Sequence, residues 1–199
     1  AVPESESGSP PALAAVVCHP HPLFGGTMHN KVVYQAAKTL HRFALPVLRF
    51  NFRGAGLSEG RHDEGRGENG DVLAALDFLA KEYPGVPLLL AGFSFGSWVG
   101  LHVACGDARV TEMIGLGLPV RGVDKRGFFY LHACEKPKLL VSGELDAFGP
   151  RDQLEALVGQ FSERTKEQTS VVFIPGADHF FAGHLPQLAR AISEWLTTR

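Results

Sequence analysis

Short apolar runs alternate with helix-periodic segments along nearly the whole chain, and that alternation limits the possible fold more than any other feature. Leu13–Cys18, Pro46–Phe50, Pro87–Gly92, Val110–Leu118, Lys138–Ser142 and Ser170–Ile174 read as strands. Helical spacing appears between or after them at Lys31–Phe43, Val72–Tyr83, Ser97–Cys105, Arg151–Phe161 and Leu185–Leu196. Asp71 stands where it would cap the second of these helices. Strands joined through helices need crossover connections. The expected class is therefore α/β, a mainly parallel sheet of about six strands with helices on both faces. No internal repeat or second domain boundary is visible. Residues 1–12, rich in Ser, Glu, Gly and Pro, read as an N-terminal tail or linker, and 13–199 as one domain.

Composition narrows the function classes. A chain of 199 residues with 45% hydrophobic and 20% charged residues can bury a real core. A formal net charge of −2 gives no electrostatic reason to expect nucleic acid or an anionic membrane as partner. The longest apolar runs have core-strand length, short of the roughly 18–20 residues that span a bilayer. Cys18, Cys105 and Cys134 are odd in number, far apart and without zinc-type spacing. They read as free thiols in a reducing, cytoplasmic setting. The first residue is Ala1, with no basic or apolar leader pattern, so a processed protein or a domain of a longer chain is expected. A monomer or weak homo-oligomer is the expected state.

In open parallel sheets the ligand site gathers at the carboxyl ends of the strands, so the loops there matter most. Gly92-Phe93-Ser94-Phe95-Gly96 follows a strand and opens a helix. This is a Gly-x-Ser-x-Gly turn in strand-turn-helix context, where glycines permit close backbone approach and Ser94 is lifted above the sheet as a nucleophile. A serine needs a base, and the base an orienter. Asp146 and His179 lie in the loops after two later strands, in the order Ser–Asp–His. Glu144 and Asp178 compete for the acid position.

The first strand runs into His19-Pro20-His21-Pro22-Leu23-Phe24-Gly25-Gly26. Its loop is expected to donate one oxyanion N–H and the residue after the nucleophile another, assigned to Leu23 and Phe95, with Phe24 as the alternative to Leu23. A rival reading places a metal on His19 and His21 with His29, His179 or His184. No carboxylate follows in a metal-ligand pattern, so no metal is expected. The glycine-rich loop Asn51–Gly60 lacks the Gly-Lys-Ser/Thr of a phosphate loop and reads as structural, with Arg53 tied to a nearby carboxylate.

Four stretches carry a family resemblance. They are His19-Pro20-His21-Pro22 with Gly25–Lys31, Arg49–Gly54, the Phe-rich elbow and Gly176–Phe181. Together they resemble the small bacterial α/β-hydrolases related to the dienelactone hydrolases, from about Leu13 to the C-terminus. The resemblance implies a serine carboxylesterase-like activity without a cofactor, on a triad of Ser94, Asp146 and His179. Dienelactone hydrolases carry cysteine at the elbow, so their lactone substrate is not carried over. Pro119–Pro137 is too short for a lid domain. Phe24, Phe128, Phe129, Phe148 and Phe180, with Leu23, Phe95 and Phe181, are candidates to line an apolar cleft for a small acyl or aryl ester. Thioester or amide chemistry on the same residues, and a non-catalytic receptor of the same fold, are the alternatives.

Overall fold

A computed structural model describes residues 10–121 and 127–199. The expected N-terminal tail thus falls mostly outside the described residues. Each apolar run forms a strand: β1 Ala14–Cys18, β2 Val47–Arg49, β3 Leu88–Phe93, β4 Val110–Leu116, β5 Lys138–Gly143 and β6 Thr169–Ile174. They make one sheet in the order β2-β1-β3-β4-β5-β6, and every pairing is parallel. The helices are α1 Lys31–Arg42, α2 Arg66–Glu82, α3 Phe95–Gly106, α4 Arg151–Gly159, α5 Glu163–Glu167 and α6 Leu185–Thr197. Short 3₁₀ turns occupy Pro22–Phe24 and Phe129–Ala133. Among the described residues there is no lid domain.

Two apolar layers explain why the strands read as continuous apolar runs instead of alternating ones. Ala14, Val16 and Cys18 of β1 and Leu88 and Leu90 of β3 face the layer under α2 and α3. Ala15, Val17, Leu89, Ala91 and Phe93 face the layer under α1 and α6. Strand order reverses direction between β1 and β3, so the loops leaving these two strands flank a crevice at the sheet's switch point.

Two local expectations are corrected. Helix α2 starts at Arg66, ahead of Val72, because the buried Glu68 carboxylate accepts the N–H groups of Asp63 (2.9 Å) and Gly65 (2.9 Å) and so completes the first turn from within. Asp71 is consequently inside the helix and caps nothing. It takes the Arg53 guanidinium (2.9 Å) and the Arg53 N–H (2.9 Å), which pins the glycine-rich loop onto α2. The helix expected over Arg151–Phe161 ends at Gly159, and Ser162, whose hydroxyl accepts the Thr165 N–H, starts α5.

Glu68→Ala leaves two loop amides and a fully buried pocket unsatisfied. It is expected to lower unfolding free energy by about 2–3 kcal/mol in urea melts, whereas Leu57→Ala at a fully exposed site stays within about 0.5 kcal/mol.

Candidate active site

Ser94 leaves β3 with φ 54° and ψ −120°, a backbone conformation that side-chain-bearing residues rarely adopt. Glycines make it feasible. A Cβ on Gly92 would enter the carbonyl of Gly96, and a Cβ on Gly96 would enter the carbonyls of Cys18 and His19. The strained residue is fixed by its own backbone: its N–H donates to Leu116 O (2.9 Å), and its carbonyl accepts the N–H groups of Ser97 and Trp98. The Phe95 N–H, at the open start of α3, has no acceptor among the described residues.

The loops after β5 and β6 bring the other two residues to the serine. His179 Nε2 lies 2.9 Å from Ser94 Oγ, and His179 Nδ1 lies 2.8 and 3.0 Å from the two carboxylate oxygens of Asp146. With Asp146 accepting, Nδ1 carries the proton and Nε2 is left to accept the serine hydroxyl. Both side chains are buried. Burial pushes the Asp146 carboxyl up. The His179 hydrogen bond and charge, with the N–H groups of Gly149 and Phe148, outweigh that and hold it below the ordinary carboxylate range. Phe148 (4.6 Å between ring centroids), Phe93 and Phe180 (5.2 Å each) wall in the imidazole. Gly117 lies under it, where a Cβ would come within 3.3 Å of the ring.

The competing acids sit elsewhere. Glu144 accepts the Gly176 N–H (3.0 Å), and Asp178 accepts the N–H groups of Phe180 and Ala182, so each orders the histidine loop without meeting the ring.

The β1 loop departs from expectation. The Leu23 N–H donates to His21 Nδ1 (3.2 Å), while Phe24 and Gly26 both donate to the His21 carbonyl. Leu23 and Phe24 therefore have engaged amides, and Pro20 and Pro22 have none. The remaining N–H groups from Pro20 to Gly26 belong to His21 and Gly25. A Cβ on Gly25 would meet nothing within 4 Å, so that residue stands at the open tip. His21 packs its ring on Phe95 (4.8 Å), beside the start of α3.

Neither does the histidine cluster form a metal cage. His19 donates from Nδ1 to Pro20 O (2.6 Å) and accepts the Phe52 N–H at Nε2 (2.9 Å), so both nitrogens are engaged, and burial lowers its pKa to about 4. Among the described residues no group of three or more His, Cys, Asp and Glu is placed to hold a metal ion. No helix among them is long and apolar enough to cross a membrane.

The apolar candidates divide. Phe148 and Phe180 border His179, and Leu23 and Phe24 stand exposed on the β1 loop. Phe181 is core. Phe128 is also core, because it lies under the turn that packs on α3. Phe129 instead faces a separate cavity of about 570 Å³ between α2 and α3, with Trp98, His102 and Tyr130.

Sequence reasoning missed His62 and Glu68. His62 Nδ1 approaches the Glu68 carboxylate at 2.7 Å, and its ring packs on His21 (4.6 Å) and Phe95 (5.4 Å). Burial, then the His62 charge, lower the His21 pKa against the pull of Glu68. The available signal was Glu68 three residues after Gly65, the spacing of a capping acid.

Comparison with known proteins fits this geometry. Residues 15–187 match the model of an alpha/beta hydrolase domain family. An alpha-beta serine hydrolase homologue from Coxiella burnetii is 38% identical with a TM-score of 0.85, covering 94% of this chain and 86% of its own. A serine hydrolase without a lid from Xanthomonas campestris is 31% identical with a TM-score of 0.86, covering 98% of this chain and 85% of its own. An uncharacterized protein of Rickettsia prowazekii is 37% identical over 196 residues, 98% of this chain and 82% of that protein. With the fold, the elbow and these relatives in agreement, the chain belongs to the alpha/beta-hydrolase family, among small serine hydrolases that lack a lid.

Proposed function

We propose that this protein is a serine carboxylesterase for small short-chain acyl or aryl esters, working through an acyl-Ser94 intermediate. One observation carries the reading: the unbroken relay from Ser94 Oγ through His179 to the buried Asp146, with contacts of 2.9 and 2.8 Å. His179 takes the hydroxyl proton as Ser94 attacks the ester carbonyl, then returns it to the leaving alcohol. Asp146 keeps the imidazole in the Nδ1–H tautomer and stabilises the imidazolium. Water, activated by the same histidine, releases the acid. The developing oxyanion is held by backbone N–H groups of Phe95 and His21, each of a kind that contributes about 3–4 kcal/mol. His21 replaces the expected Leu23 because the Leu23 amide already has an acceptor.

Substrate size follows from the rim. Leu23, Phe24, Leu145, Phe148 and Phe180 are exposed apolar side chains on the strand-end loops, and no lid among the described residues closes over them. They offer a shallow apolar surface, suited to a short acyl or aryl group.

Four outcomes are expected. Ser94→Ala lowers turnover of p-nitrophenyl acetate and butyrate by roughly three orders of magnitude or more; wild-type turnover in that variant would overturn the reading. Across a C2–C12 ester series kcat/KM peaks at the short end, and a maximum at C12 would contradict the open shallow cleft. Asp146→Asn lowers kcat by about 10⁴-fold through the wrong tautomer. Because Asp146 is held below its unfolded pKa, its stabilising contribution is present above the ordinary carboxylate range and fades as pH falls through the folded value. The acid limb of the stability curve should therefore flatten in Asp146→Asn, as read from melting temperature against pH.

A further inference from the structure

The cavity of about 570 Å³ between α2, α3 and the 3₁₀ turn Phe129–Ala133 has neither Ser94 nor His179 in its walls. Its volume falls within the roughly 300–1,000 Å³ of small-molecule sites. Trp98, Phe129 and Tyr130 supply its ring surface. The Trp98 Nε1–H donates to the Gly127 carbonyl (2.9 Å), and the Tyr130 hydroxyl donates to the Trp98 carbonyl (2.9 Å). Both side chains thus spend their polar ends on backbone and offer carbon surface to the cavity. The indole is also held against Gly65, where a Cβ would come within 2.9 Å of it. Phe129 is 68% exposed yet stacked on His132 (5.7 Å between centroids, 20° between planes). These walls are fixed before any ligand arrives, which lowers the ordering cost of binding.

The polar groups on the same walls select the ligand. Asn69 Oδ1 of α2 lies 3.5 Å from His102 Nδ1 of α3, a long contact that leaves both side chains able to accept a further hydrogen bond. Glu64 lines the cavity as well, and its carboxylate has no ion-pair partner among the described residues. Three acceptors beside aromatic walls favour a ring that donates. The Arg66 guanidinium, on the same rim, is taken by Asp63 (3.2 Å). With that cation already paired and Glu64 nearby, an anion gains little there, while Arg66 repels a full positive charge.

We propose that this cavity is an accessory binding site for a small neutral aromatic molecule bearing a hydroxyl group, in the simplest case a phenol. The ring lies among Trp98, Phe129 and Tyr130, and the hydroxyl donates to the acceptors of Asn69 and His102. The site is separate from the serine but one helical turn from it. The Trp98 N–H donates to the Ser94 carbonyl (3.1 Å), and the indole packs on Phe95 (5.7 Å). This does not depend on the esterase reading.

The test uses the indole N–H signals of the folded chain in proton–nitrogen correlation spectra. Trp98 and Trp195 are its two tryptophans, and Trp195 is buried in the layer under α1 and α6, so it serves as the control. p-Cresol should shift the Trp98 signal with a Kd on the order of 1 mM and leave the Trp195 signal in place. Toluene, benzoate and benzylammonium, which lack the neutral hydroxyl, should each bind about tenfold more weakly. Phe129→Ala, a truncation at an exposed position, should weaken p-cresol about fivefold or more. Asn69→Leu should remove the preference for p-cresol over toluene, and Ser94→Ala should bind p-cresol as the wild type does. Should a variant not fold, the ligand series on the wild type decides alone. A Trp98 signal unmoved by p-cresol, an equal response to toluene, benzoate or benzylammonium, undiminished binding in Phe129→Ala, or its loss in Ser94→Ala would overturn the proposal.

Discussion

At the elbow, two stretches of backbone touch with no side chain between them. Gly96 lies flush on the carbonyls of Cys18 and His19, and Gly92 lies against Gly96, so β1, β3 and the start of α3 meet at van der Waals distance. The His21 loop is thereby brought beside the Phe95 amide. Ser94 is held at positive φ, a strain of order 1–3 kcal/mol. Backbone hydrogen bonds on both sides of the serine offset it. Any side chain at Gly96 would push the β1 loop away, and under the proposed function the serine would keep its base while losing the surroundings that stabilise charge.

A second device recurs around the site. Asp146 accepts the N–H groups of Phe148 and Gly149, Glu68 those of Asp63 and Gly65, and Asp178 those of Phe180 and Ala182. In each case one short acidic side chain takes two amides of a tight loop that has no sheet or helix partner for them. Loops at the strand ends are thus ordered by their own acids. For Asp146 the same bonds keep the carboxylate charged despite burial. His19 does the equivalent as a neutral ring, joining the β1 loop to Phe52. These local acceptors order the loops beside the buried packing of Phe93 and Phe95, while Phe148 and Phe180 on the rim are exposed.

The strands, the elbow and the order of Ser94, Asp146 and His179 were readable in the sequence because each is a local pattern: apolar run, turn chemistry, strand-end position. The errors share a different origin. Asp71 looked like a cap, but Glu68 supplied acceptors earlier in the chain, and a tertiary partner, Arg53, claimed Asp71. Leu23 is assigned from its place in the loop after the first strand, yet which amide is free depends on where the His21 ring folds back. Phe128 and Phe129 are sequence neighbours with opposite fates, one in the core and one on a cavity, because the 3₁₀ turn begins between them. His62 and Glu68 gave no catalytic pattern at all, because their proximity to His21 exists only once α2 docks beside β1.

Chain order also determines when the parts meet. The serine turn is complete once β3 and the first turn of α3 exist, but the imidazole arrives on the loop after β6, the strand at the far edge of the sheet. A chain emerging from the ribosome would carry its serine through the synthesis of β4 and β5 with no histidine beside it. In the proposed mechanism the edge strand is what arms the serine. Fraying of β6 from β5, in a nascent chain or a damaged one, would part His179 from Ser94 while leaving the centre of the sheet intact.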